Sequence, residues 1–182
     1  MDELTQLAEL VKRRNVLERS ITALIGRPAS IAHTGEFIAA RIFHIVLQSS
    51  AAHKAFDGRF ADGPLTGRTV NIKWYAQQEG MLDITPDTLP DYYLVLTGPR
   101  ASAVSSRGQP RPWIIENVYL FGAQALLEEL ERHGVRIGTA TSVRQDLWTN
   151  AQVYPEQISS LLPPLSAEQR AALALFRSVP DG

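Results

Sequence analysis

Apolar residues recur at helical spacing from the start of the chain. Leu4, Leu7, Val11, Ile21 and Ile25 predict a first helix, with Asp2 as its N-cap and Gly26 and Pro28 as its stop. A second helix is predicted over about residues 34–48, on Phe37, Ile38, Ile42, Phe43 and Val46. The period then changes to two. Phe56-Asp57-Gly58-Arg59-Phe60 and Arg68-Thr69-Val70-Asn71-Ile72-Lys73-Trp74 alternate polar and apolar around a connection rich in turn formers, residues 61–67, which predicts a β-hairpin. Val70, Ile72 and Trp74 share one face of its second strand. Asn71 and Lys73 share the other, with Asp57 and Arg59 of the first strand, and a hairpin symmetric about its loop sets Asp57 opposite Asn71 and diagonal to Lys73. Residues 92–96 form a short, continuous apolar run closed by Gly98-Pro99, the pattern of a buried strand. A fourth strand is predicted over 113–121. Gly122 then leads into a helix carrying Ala123, Leu126, Leu127 and Leu130 and ended by Gly134. Residues 135–140 read as a last strand, and 143–154 as irregular or briefly helical. A final helix over about 166–176 opens on a capping box of Ser166 and Gln169. The order of elements specifies an α/β or α+β core with a mixed sheet.

Composition narrows the chemistry mainly by exclusion. The 182 residues are 45% hydrophobic and 20% charged, and 18 Lys and Arg against 19 Asp and Glu leave a formal net charge of −1. No global field therefore draws the chain to nucleic acid or an anionic membrane, and any such contact needs a local patch. The absence of cysteine removes disulfides, thiolate zinc sites and cysteine nucleophiles. No apolar run is long enough to span a bilayer, and the amphipathic N-terminus lacks the apolar core of a signal peptide, so the cytoplasm is the expected compartment. Phosphate-loop, dinucleotide-fingerprint and nucleophile-elbow motifs are missing. His33, His44, His53 and His133 lack zinc-site spacing, although His33 borders the start of the second helix.

Several polar groups have two readings each. Glu36 is explained as a carboxylate at the positive end of a helix, yet Ala39 and Ala40 beside it would let that helix approach a sheet closely. Asp57 is either a turn acid before Gly58 or part of a site with Asn71 and Lys73. Lys73 lies between Ile72 and Trp74, which suits an interior strand better than an edge gatekeeper. Trp74 and Tyr75 read as core residues rather than base-stacking platforms. Lys12, Arg13, Arg14 and Arg19 read as a solvated helix face rather than a phosphate-binding one. The interval 92–115 contains no acid and carries Arg100, Arg107 and Arg111, either a polyanion-binding loop or a plain excursion. Arg144, close in sequence to Trp148 and Tyr154, belongs to a partner surface or a cleft wall.

Thr34-Gly35-Glu36-Phe37-Ile38-Ala39, Phe56-Asp57-Gly58 and Val70-Asn71-Ile72-Lys73 together resemble the core of the PD-(D/E)XK superfamily, the restriction-endonuclease-like nucleases. The resemblance implies one domain over 1–182, built as an N-terminal helix (1–29), an αβββαβ core (30–140) and a C-terminal extension (141–182). It implies hydrolysis of DNA phosphodiester bonds with Asp57 and Glu36 as metal-binding carboxylates and Lys73 stabilising charge or positioning water. Asn71 and the Ile72 carbonyl complete a site for one Mg2+ or Mn2+. Asn71 departs from the acid the family carries there, and Glu79 and Asp83 are the nearby candidates to replace it. Arg59, Arg100, Arg107, Arg111 and Arg144 are the implied DNA contacts. A homodimer follows from the two sites that double-strand cleavage generally uses. Two other readings remain open: the same fold without catalysis, binding nucleic acid or a protein, and an unrelated α/β protein whose polar hairpin face is only a surface.

Overall fold

The computed structural model describes residues 2–49, 56–101 and 110–178. The chain opens with α1 (Glu3–Ile25), capped by the Asp2 carboxylate, which accepts from the Leu4 and Thr5 amides, and ended by Gly26 at φ 71°. That left-handed conformation suits glycine and turns the chain toward α2 (Ile31–Ile42), whose N-cap is Ser30. Then come β1 (Ile45–Leu47), β2 (Gly58–Phe60), β3 (Thr69–Tyr75), β4 (Met81–Leu82), β5 (Tyr92–Thr97) and β6 (Asn117–Gly122). The remainder is α3 (Ala123–Arg132), β7 (Thr141–Ser142), α4 (Gln145–Ala151), β8 (Gln152–Tyr154) and α5 (Ala167–Ala174).

Six strands form one mixed sheet in the order β1-β2-β3-β5-β6-β8, with β4 and β7 pairing separately. Every neighbouring pair in the large sheet is antiparallel except β3 and β5. Alternation along the strands divides the core in two. Val70, Ile72, Trp74, Leu94 and Leu96 pack against α2 and the region of α5, while Tyr93, Val95, Tyr119 and Phe121 pack against α3 and α4. Strand β5 is covered on both faces, which is why its sequence is apolar without alternation. The chain is thus α/β, with a mixed sheet flanked by helices. Among the described residues no helix is long and apolar enough to cross a membrane.

The parallel pair begins in a side-chain clasp. Asp91 Oδ2 accepts from the Thr69 amide at 2.7 Å and from its hydroxyl at 2.8 Å, while the Asp91 amide donates to Thr69 Oγ1 at 2.8 Å. No helix joins β3 to β5; the crossover contains β4 and a 3-10 turn, with Leu82 and Ile84 buried beneath it.

Four expectations need correction. The second helix is not 34–48: it starts at Ile31, which leaves Glu36 beyond its first turn, and ends at Ile42; His44 then adopts φ 51°, and Ile45–Leu47, rich in β-branched residues, pairs with β2 as β1. The strand predicted over 113–121 begins only at Asn117. Residues 135–140 are not a strand, because side chains take their backbone groups. Thr141 Oγ1 accepts from the Gly138 amide at 2.9 Å, Asp83 Oδ1 accepts from Ala140 at 2.8 Å, and Ala140 stands at φ 57°. The stretch 143–154, read as irregular or briefly helical, does hold a brief helix, α4, but also an edge strand of the sheet, β8. The capping box of Ser166 and Gln169 is formed as expected.

Candidate functional site

The hairpin register is the one expected from its symmetry. Gly58 lies opposite Val70 and Arg59 opposite Thr69, so one further step sets Asp57 across from Asn71. At that step the ladder is carried on by a side chain. The Asp57 amide donates to the Val70 carbonyl at 2.9 Å, and its Oδ2 accepts from the Ile72 amide at 2.6 Å. The N–H and C=O of one strand residue leave from the same edge, so the Ile72 carbonyl also faces the Asp57 side. Gly58 is required beside it: a Cβ there would lie 2.6 Å from the Val46 carbonyl oxygen, closing the space that β1 occupies.

Helix α2 brings the second carboxylate. Sequence pointed to Ala39 and Ala40 as the small residues allowing close approach; the decisive one is Gly35, where a Cβ would meet Trp74 Cβ at 2.9 Å. With α2 seated that close, Glu36 is held half-buried within electrostatic reach of Asp57. Burial pushes the Glu36 carboxyl above its ordinary value, Asp57's charge adds to that, and Arg27 and His33 oppose it. Burial likewise raises Asp57, against the Ile72 amide, Lys73 and Arg27. Two acids from separate elements are therefore held together at a cost to both.

Cations answer them unevenly. Arg27 forms an ion pair with Glu36 across the turn between α1 and α2. Lys73 makes no hydrogen bond or ion pair among the described residues, and Asp57 feels its charge through space. On the same strand face, the Asn71 side-chain oxygen is buried without a hydrogen-bond partner among the described residues. Arg27 was missed in the sequence. It stands alone between Gly26 and Pro28, where neither periodicity nor a motif draws notice.

The other named residues lie in different settings. Asp83 is committed to the Tyr75 hydroxyl and the Ala140 amide, and Glu79 to Arg111 at 3.1 Å, so neither is engaged with Asp57. Arg100 lines a separate cleft of about 450 Å3 with Gln78, Glu79 and Gln145. Arg59 donates to the Gly67 carbonyl at 2.8 Å and covers the Phe56 ring. Arg144 pairs with Asp146 at 2.8 Å and reaches Glu129 and His133. Arg107 and His53 lie outside the described residues. Trp74 is buried and donates to the Ile114 carbonyl, as a core residue should, and His33 Nδ1 lies 2.9 Å from the Pro28 carbonyl.

Among the described residues no three His, Asp or Glu side chains converge as a metal cluster; the donor set is two carboxylates and neutral oxygens. No family model matches the chain, and no curated protein matches it in sequence.

Proposed function

We propose that the protein is a divalent-metal-dependent nuclease hydrolysing DNA phosphodiester bonds at the cluster of Glu36, Asp57 and Lys73. One observation carries this reading: two carboxylates on different elements lie within electrostatic reach, each raised by burial, beside a lysine with no ion pair among the described residues. A capping acid and a turn acid have no need to meet.

The donors fit one hard cation. Asp57 and Glu36 would hold it, with neutral oxygen from the Ile72 carbonyl and from Asn71, whose buried side-chain oxygen has no hydrogen-bond partner among the described residues. A bound Mg2+ or Mn2+ supplies Lewis acidity and a water of lowered pKa. The chain's own groups do the remainder. Lys73 offers a compact positive charge to the non-bridging oxygens of the scissile phosphate as negative charge develops there. The Ile72 amide fixes one oxygen of Asp57, and the other would be the cation's ligand. Arg27, released from Glu36, is placed to take a phosphate oxygen in the bidentate manner guanidinium allows.

A second reading has its own support. Arg27 already neutralises Glu36, and among the described residues no third acid converges, so the cluster is charge-balanced without a cation. On that reading the same fold binds nucleic acid or a protein without catalysis.

Calorimetric titration with Mn2+ separates the two, using the wild type, Asp57→Asn, which keeps an acceptor for the Ile72 amide, and Lys73→Met. The catalytic reading expects near-stoichiometric binding, lost in Asp57→Asn and kept in Lys73→Met, with DNA cleavage lost in both. No Mn2+ binding, even with a DNA duplex present, would sink it in favour of the second reading.

A further inference from the structure

Helix α1 spans 23 residues and buries none of them. At 1.5 Å per residue it extends about 35 Å. Its contacts with the body come from the C-terminal end: the Thr22 hydroxyl accepts from the Ala29 amide, and Arg27, just beyond the helix, pairs with Glu36. From Asp2 to Leu17 every residue is exposed. Leu4 is 77% exposed, Leu7 56%, Leu10 54%, Leu17 63% and Leu24 74%. In proteins most of a helix's stability comes from packing an apolar face rather than from its own hydrogen bonds. Here the face from Leu4 to Leu17 has no partner among the described residues, and of its apolar residues only Ile21 and Ile25, near the body, are half-buried.

The face has an order that says what covers it. Leu7, Leu10, Arg14, Leu17, Ile21 and Leu24 are spaced alternately by three and four residues, the seam of a paired helix, and Leu4, Val11 and Ile25 flank it on one side. Charge along the helix is polarised. Asp2, Glu3 and Glu9 occupy the first half, whereas Lys12, Arg13, Arg14 and Arg19 follow, relieved only by Glu18. A second copy laid parallel would set like charge on like and stack Arg14 on its own image at the centre of the seam. Reversed, the same helix sets acids against bases and opposes the two helix dipoles favourably. With Leu7 opposite Leu24, the antiparallel seam also sets Leu10 opposite Ile21 and Arg14 opposite Leu17, along whose side chain the arginine stem can lie. Glu18, which pairs with Arg14 at 2.7 Å within one chain, remains beside it.

We infer that α1 is a dimerisation arm, pairing antiparallel with α1 of a second copy of this chain. This stands independently of the reading of Glu36, Asp57 and Lys73.

The absence of native cysteine makes the arrangement directly readable. Sedimentation of the full chain at tens of micromolar should give twice the chain mass. The variant Leu10→Glu with Leu17→Glu should weaken association by at least about a hundredfold, since it places charge in the buried seam. Because neither side chain is packed in the body, its thermal midpoint at low concentration should be unchanged. Under mild oxidation Leu7→Cys chains should not cross-link with one another, while a mixture with Leu24→Cys chains should. A monomeric wild type overturns the inference, as does a dimer indifferent to Leu10→Glu with Leu17→Glu. Self-linking of Leu7→Cys overturns the antiparallel arrangement.

Discussion

Asp91 shows how much one carboxylate can fix. Burial raises its pKa, but the Thr69 amide and hydroxyl and the Arg68 guanidinium more than offset that and hold the carboxyl below its ordinary value. Between the depressed value and the ordinary one near about 4, the unfolded chain binds more protons than the folded one. The stabilisation is therefore complete above the ordinary carboxylate range and lost as pH falls through the depressed value. Asp91→Asn should cost about 1–2 kcal/mol at pH 7 by urea unfolding, and that gap should close in acid. An equal gap at both pH values would show that charge has no part in it. At this scale the sequence was informative where a residue's neighbours in the chain are also its neighbours in space. Asp57, Asn71 and Lys73 could be placed on one hairpin because a period of two and a short loop leave little choice of register. Arg27 could not, since its meeting with Glu36 depends on how two helices cross.

Among the elements, α2 carries the sharpest test. Replacing a helical glycine by alanine ordinarily stabilises by about 1 kcal/mol. At Gly35 the added methyl meets Trp74 Cβ, an atom close to the backbone that cannot swing away. Gly35→Ala should therefore destabilise by about 1–3 kcal/mol in thermal or urea unfolding, the cost of overpacking, and should weaken Mn2+ binding by displacing Glu36. A stabilised variant would mean that α2 stands further from β3. The same scale shows where pattern fails. Helices α1 and α5 are named by their side-chain caps, and α1 and α3 by apolar residues at helical spacing. Strands β1 and β8 have three residues each, too few for a period to emerge; β8 follows directly on α4, and β1 comes two residues after α2. Residues 135–140 have strand composition, yet Thr141 and Asp83 hold their backbone in turns, which no local pattern announces.

For the molecule as a whole, burial predicts a gradient of local stability. Strand β5 is hydrogen-bonded along both edges, and Leu94, Val95 and Leu96 are each 0% exposed. Their amides should exchange only through global unfolding, whereas those of the first two thirds of α1 should exchange quickly in dilute solution and slow as concentration rises. Fast exchange in β5, or a concentration-independent α1, would contradict this layout. The mixed sheet and its flanking helices were legible in the order of elements, while the solitary α1 was not, because an apolar stripe looks the same whether its partner lies inside the chain or outside it.

The clasp between Thr69 and Asp91 acts as an alignment key. Side chains on a strand alternate faces, so a slip of one residue between β3 and β5 would carry Lys73 into the apolar layer beneath α2 and bring Ile72 out in its place. A slipped pair cannot close the three hydrogen bonds of the clasp. Which side chains stand beside Asp57 is thus protected by a carboxylate that is itself no member of that cluster.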